Sequence, residues 1–261
     1  MNSTPARKSR CRLLLFDLDG TLLDSRKRIS PRNRRALADC RAAGILIGVA
    51  TARSEPTAAR YVAQVAPDVL ISNSGALVRV RGEILYRHGF TREEAVTLVR
   101  AGVAEGRGIT VDCDDTTYSN RVIDFFNEPG ITYTDYSDFG QSALKICIEG
   151  SDTAFAEKTA ARIDACSWLA FSDCDWFKFS KQGVSKGDAL AHVASASGIG
   201  TDEMTAFGDD YVDTEMLAIC GVGVAMANAP EAVRQAADVI IGSNDTDAIA
   251  DYLEKNVLST L

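Results

Sequence analysis

The sequence predicts an α/β protein, a doubly wound parallel sheet whose chain is interrupted by an α+β insert. Three observations predict it. Short, unbroken apolar runs such as Leu13 to Phe16 end abruptly in polar turns, as strands buried on both faces of a parallel sheet do. These runs alternate with helix-periodic stretches at both ends of the chain, the pattern of a doubly wound sheet. Between about Arg81 and Lys181 the strand candidates alternate apolar and polar residues instead, which suits half-buried strands with helices on one face.

Taken in order, Leu13 to Phe16 is the first strand, closed by Asp17-Leu18-Asp19-Gly20-Thr21. Ser30-Pro31 opens a helix, Ser as N-cap and Pro at the first helical position, and Gly44 stops it. Ile45 to Thr51 is a second buried strand, Glu55 to Val65 a helix, and Val69 to Ser72 a third strand leading into Asn73-Ser74-Gly75. Within the insert, strands are expected at Gly82 to Tyr86, Ile109 to Cys113 and Ala143 to Glu149. Helices are expected at Thr91 to Glu105 and Thr153 to Cys166, and a hairpin at Trp168 to Ser172 with Asp175 to Phe179. The stretch Asp114 to Gln141, rich in Asp, Thr, Asn and Tyr, receives no assignment. From Val184 the first pattern resumes: a helix capped by Ser185 and ending at Gly198, then strands at Met204 to Phe207, Val222 to Met226 and Val239 to Ile241. Helices are expected at Asp213 to Cys220, Pro230 to Ala237 and Thr246 to Glu254. Residues 1–80 and 184–261 therefore form one domain and 81–183 a second, inserted one.

Composition narrows the function. With 46% hydrophobic and 25% charged residues the chain is of ordinary globular make-up. Its 36 acidic against 28 basic side chains, net −8, argue against nucleic acid as a partner. Seven cysteines without a Cys-x-x-Cys pair read as reduced thiols, and two distant histidines exclude a His-rich metal site or a serine–histidine triad. No apolar run approaches a membrane span, and the one after Arg12 is too short for a signal peptide. The expected compartment is the cytoplasm. Oligomeric state is not legible.

Chemistry concentrates at strand ends, where ligands bind in α/β sheets. An isolated Asp-x-Asp is more often an acidic turn with one helix cap. Here Asp17 and Asp19 directly follow a buried strand. Thr51, a common N-cap type, also suits a phosphate held by a hydroxyl and free backbone amides. Lys186 stands in the first turn of its helix, where a cation opposes the macrodipole and needs another reason to be there, unless solvent makes it cheap. In Phe207-Gly208-Asp209-Asp210-Tyr211-Val212-Asp213 one acid is spared to cap a helix, but capping alone needs neither the Gly-Asp turn nor three acids in five residues.

In order, these pieces resemble the four motifs of the haloacid dehalogenase superfamily: Asp-x-Asp-Gly-Thr, a Thr after strand two, a helical Lys, and Gly-Asp-x-x-x-Asp. The large insert between the second and third motifs resembles the Cof-type phosphatases, as do Gly183-Val184-Ser185-Lys186-Gly187 and Met226-Ala227-Asn228-Ala229. The likeness runs from Arg12 to Leu253, and within the insert it is architectural only. Two departures stand out. Val212 replaces an Asn usual before the last acid, and Asn73-Ser74-Gly75-Ala76 replaces Asn-Gly-Ala.

The resemblance implies a Rossmann-like core with a substrate-selecting cap at 81–183, and a Mg²⁺-dependent phosphatase acting through an aspartyl-phosphate. It implies Asp17 as nucleophile and Asp19 as acid and then base. Asp17, the Asp19 carbonyl, Asp209 and Asp213 would serve the metal, and Thr51 and Lys186 the phosphoryl oxygens. Charge supports the cation independently. Three carboxylates face a phosphate of about −2, and like charges 4 Å apart repel by about 4 kcal/mol at an effective dielectric of 20. Lys186 alone cannot offset several such pairs, and an all-oxygen set favours Mg²⁺ over zinc. The expected partner is a small phosphate ester. Neutral hydrogen-bonding groups in Asp114 to Gln141 (Thr116, Thr117, Tyr118, Asn120, Asn127, Tyr133) suggest a sugar phosphate, though a merely solvated loop fits them equally. The alternatives are a phosphohexomutase on the same scaffold and a non-enzymatic Mg²⁺-binding relative.

Overall fold

The structure, a computed structural model, describes residues 11–122, 130–171 and 174–260. In chain order it contains β1 (Leu13–Phe16), α1 (Pro31–Ala42), β2 (Leu46–Ala50), α2 (Glu55–Val65), β3 (Val69–Ser72), β4 (Leu77–Val80) and β5 (Glu83–Arg87). The middle of the chain adds α3 (Arg92–Ala104), β6 (Ile109–Asp112), β7 (Thr117–Ser119), β8 (Ile131–Tyr133), β9 (Lys145–Glu149), α4 (Thr153–Ala160), β10 (Cys166–Ala170) and β11 (Trp176–Lys181). The last part is α5 (Lys186–Ser197), β12 (Met204–Gly208), α6 (Thr214–Ile219), β13 (Val222–Met226), α7 (Glu231–Ala236), β14 (Val239–Ile241) and α8 (Ala248–Asn256).

Two sheets organise these elements. The core sheet has the order β14-β13-β12-β1-β2-β3-β4-β5, parallel from β14 to β3 and closed by two antiparallel strands. β1 lies at its centre because Leu13 to Phe16 are apolar on both sides. Leu14 and Phe16 face α1 and α8, while Leu13 and Leu15 face α5 and α6, and all four are fully buried. Each such side chain stabilises the fold by about 1.5–3 kcal/mol relative to exposure. The strand order reverses between β1 and its two neighbours, so the carboxyl ends of β1, β2 and β12 open on one crevice, the usual ligand position.

The second sheet, β10-β11-β9-β6-β7-β8, is mostly antiparallel and forms a separate cap with α3 and α4 on one face. Ile109, Val111, Ile146, Ile148, Phe177 and Phe179 point to those helices; the alternate residues point the other way. The unassigned stretch supplies β7 and β8, and these two strands pair in parallel. Asn127 lies outside the described residues.

Several expected boundaries move. The strand at 82–86 belongs to the core sheet, as β5 pairs with β4 and Tyr86 stacks on His192 of α5. We therefore draw the first junction after Arg87, and not at residue 81. An alternating strand looks alike at the edge of one sheet or inside another, so its polarity could not place it. The helix expected to reach Cys166 ends at Ala160, and Cys166 opens β10 after a left-handed residue, Ala165 at φ +51.

Candidate active site

β1 and β12 are paired in register, Phe16 beside Phe207, so the next residues of both strands emerge together at the crevice. Lys186 joins them from α5. Its Nζ donates to Asp17 Oδ1 and to Asp213 Oδ1, both at 2.6 Å, and it is 1% exposed. The buried cation thus finds two carboxylates instead of water, which answers the penalty of its position in the first turn. Burial lowers its pKa, but Asp17 and Asp213 more than reverse that and hold it above the ordinary lysine range. Asp17 is pushed up, first by burial and then by Asp213 and Asp209, against the pull of Lys186. Its second oxygen accepts no hydrogen bond among the described residues.

Asp213 does not cap α6. Oδ2 accepts the backbone N–H groups of Asp209 (2.9 Å) and Asp210 (3.0 Å), so it pins the loop that carries Asp209. Asp210 instead caps the short 3-10 turn Tyr211–Asp213 that leads into α6, its carboxylate accepting from the N–H of Tyr211. Asp209 takes a hydrogen bond from Thr21 Oγ1 at 2.6 Å and one from Asn228 Nδ2 at 3.2 Å. Burial raises its carboxyl to about 6, with Asp213 and Asp210 adding to the effect and Thr21 opposing it. Gly20, at φ +79, lets the chain pass Asp209: a Cβ there would lie 2.1 Å from Asp209 Oδ2.

Asp17, Asp209 and Asp213 offer carboxylate oxygens that all lie within 4.8 Å of one another. The donor set is oxygen only, one Asp17 oxygen is unclaimed, and Asp17 and Asp209 are driven toward protonation by burial first and then by the neighbouring acids. A hard divalent cation fits these residues and would relieve that repulsion.

The side chain of Asp19 turns away from this cluster. Arg53 holds it through Nε (2.5 Å) and Nη2 (2.8 Å), and Lys27 Nζ adds a third contact at 2.6 Å. Burial alone would raise it, but these two cations hold its carboxyl at about 2. Thr51 follows β2, next to β1 in the sheet, and is 1% exposed. Its hydroxyl accepts from the N–H of Arg53, and it stands three residues before the true N-cap Ser54, so it shapes the loop without capping α2. Asn73 and Ser74, both left-handed, lie against this loop; their buried side-chain polar atoms have no partners among the described residues. Gly75 (φ +111) then brings the chain against α5, where a Cβ would stand 2.1 Å from Ser185 O.

The cap reaches the same place. Lys145 Nζ donates to Ala52 O at 2.7 Å and pairs with Asp112 at 2.9 Å, and Thr117 Oγ1 lies 2.7 Å from Ser54 Oγ. Most of the neutral groups expected to meet a sugar are committed within the protein. Thr117 also donates to Asp112, Asn120 bridges Ile109 N and Arg107 O, and Tyr118 OH accepts from Gln141. Sequence reasoning passed over Lys27, Arg53 and Lys145 as site residues. Only Arg53 carried a signal, its place two residues after Thr51.

The chain is similar to known proteins over most of its length. A model of the haloacid dehalogenase-like hydrolases matches residues 14–253. The pyridoxal phosphate phosphatase YbhA of Escherichia coli is 27% identical, with 95% of this chain aligned to 99% of that one. The chloroplastic endoribonuclease YBEY of Arabidopsis thaliana is 28% identical over 92% of this chain, and the match spans 45% of its length. Among solved structures, a haloacid dehalogenase-like hydrolase from Bacteroides thetaiotaomicron superposes with a TM-score of 0.84 at 26% identity, over 94% of this chain and 99% of the other.

Proposed function

This chain belongs to the haloacid dehalogenase-like hydrolases, and we propose that it is a Mg²⁺-dependent phosphatase that hydrolyses a small phosphorylated metabolite through an aspartyl-phosphate on Asp17. One observation carries the reading. Lys186 bridges Asp17 and Asp213 while Asp209 completes a three-carboxylate cluster at the ends of β1 and β12. Neither a turn nor a fold core needs that arrangement.

Lys186 fixes one oxygen of Asp17 and leaves the other to attack phosphorus, forming an acyl phosphate as the ester oxygen departs. The same ammonium, with the Thr51 hydroxyl, stabilises charge on the phosphoryl oxygens. Asp19 delivers a proton to the leaving oxygen and then takes one from the water that cleaves the intermediate. A dianionic phosphate arriving beside it opposes Arg53 and Lys27 and raises the Asp19 carboxyl toward a useful range. Asp17, Asp209 and the backbone carbonyl of Asp19 would hold Mg²⁺, with Asp213 orienting them. When bound, the ion supplies charge neutralisation for carboxylates and phosphate brought together. We take the leaving group to be sugar-like, because the cap face turned to the site carries the polar side chains Thr110, Ser180, Lys145 and Lys178 beside the apolar Cys147 and Trp176. All seven cysteines are free thiols, which supports the cytoplasm. Among the described residues no helix is long and apolar enough to cross a membrane.

The test is phosphate release from p-nitrophenyl phosphate. Turnover with Mg²⁺, its loss on chelation and its recovery on adding Mg²⁺ back are expected. Full activity after exhaustive chelation would overturn the metal assignment, and no release from any ester would overturn the phosphatase.

A further inference from the structure

The cap sheet turns two lysines toward the core. On β9 and β11, Ile146, Ile148, Phe177 and Phe179 pack into the cap's own core. Lys145 and Lys178 occupy the opposite face, Lys178 beside Cys147 in register and Lys145 opposite Asp112. That face meets the loop after β2, since Lys145 reaches Ala52 O. The two cations differ in their surroundings. Lys145 has Asp112 at 2.9 Å as counter-ion. Lys178, only partly exposed, has no hydrogen-bond or ion-pair partner among the described residues. Burial, and then the charge of Lys145, hold its ammonium below the ordinary lysine range, and the charges of Lys186 and Asp210 reach it from the core. An unmatched cation at such a place is costly unless something anionic arrives.

The transferred phosphate already has Lys186, Thr51 and the metal cluster on the core side. We propose that Lys178 instead receives an anionic group on the leaving part of the substrate, a carboxylate or a second phosphate, so that the substrate is an acidic sugar phosphate. This rests on the phosphatase reading above. It also revises the expectation that rested on the neutral hydrogen-bonding groups of Asp114 to Gln141. Lys178 lies outside that window, on a strand whose alternation conceals which face it serves.

The experiment compares a hexose monophosphate, phosphogluconate and a hexose bisphosphate as substrates of the whole protein with Mg²⁺. The wild type is expected to favour one or both anionic esters by about tenfold or more in kcat/KM, the range of a charge-assisted contact. Whether the carboxylate or the second phosphate gains identifies the source. Lys178→Met should collapse that ratio toward one, and Lys178→Arg should keep part of it. Equal treatment of all three esters by the wild type, or an equal fall for all three in Lys178→Met, would overturn the proposal; the second would assign Lys178 to the transferred phosphate. Calorimetric titration of the Asp17→Asn protein with the same compounds reads the preference without turnover. Tighter binding of the anionic esters that depends on Lys178, together with a wild type that hydrolyses none of them, would keep this inference and remove the phosphatase. Equal binding would remove the inference whatever the activity.

Discussion

Asp19 sits between two cations, and its chemistry depends on what they do. Bound by Arg53 and Lys27 with its carboxyl at about 2, it is ionised at neutral pH and cannot protonate a leaving group until that grip is opposed. Removing Arg53 takes away a forked contact and lets the carboxyl rise. Arg53→Ala should therefore lower kcat/KM by about tenfold or more, the worth of a charged hydrogen bond. It should also move the alkaline limb of the kcat/KM profile, where the acid Asp19 loses its proton, to higher pH. A profile that stays in place would show that Arg53 does not govern Asp19. Residues of this kind divide by legibility. Asp17, Asp209, Asp213 and Lys186 were readable because runs of acids at strand ends and a lysine against a helix dipole are poor core and poor caps. Lys27 and Lys178 were not, and Arg53 only by its place two residues after Thr51, because a lone cation in a turn or strand looks like any solvated charge until the fold brings an acid, or none, beside it.

At the scale of elements, the site depends on how closely the β3–β4 connection approaches the start of α5. Gly75 adopts φ +111 with Ser185 O where its Cβ would be, and Lys186 is the next residue along. Gly75→Ala forces either the turn or the helix start to move, at a cost of several kcal/mol from strain and overpacking. Lower thermal stability and a fall in turnover of more than about tenfold are expected, since a small misplacement of a catalytic group is expensive. Wild-type melting and turnover would mean that the helix start is not held there. The elements that build this region were legible: Ser30 and Ser185 cap their helices through Asn33 N and Asp188 N as their sequence positions suggest. β4 and the β7–β8 pair were not, and neither was the place of the expected 82–86 strand in the core sheet. Short strands with mixed polarity become strands through long-range pairing, which no local pattern records.

For the whole molecule, the cluster of acids sets a link between metal, proton and stability. Asp209 has a folded-state carboxyl at about 6, above the roughly 3.9 of an unfolded Asp. Its sign follows: its contribution to metal-free stability is fully present below about pH 4 and is lost as pH rises through about 6. A bound cation reverses that penalty. The rise in Tm produced by Mg²⁺ should therefore be larger at pH 7.5 than at pH 5, where protons compete for the same oxygens. An equal rise at both would detach the cluster from metal binding. The central claim is narrower, that Asp17 carries the phosphoryl group, and it is tested most directly by trapping the intermediate. A radiolabelled phosphate ester, mixed with enzyme and Mg²⁺ and quenched in acid within a turnover, should leave hydroxylamine-labile phosphate on the peptide containing Asp17 and none on Asp17→Asn. Label that survives in Asp17→Asn, or rapid turnover with no label on the protein, would contradict the account.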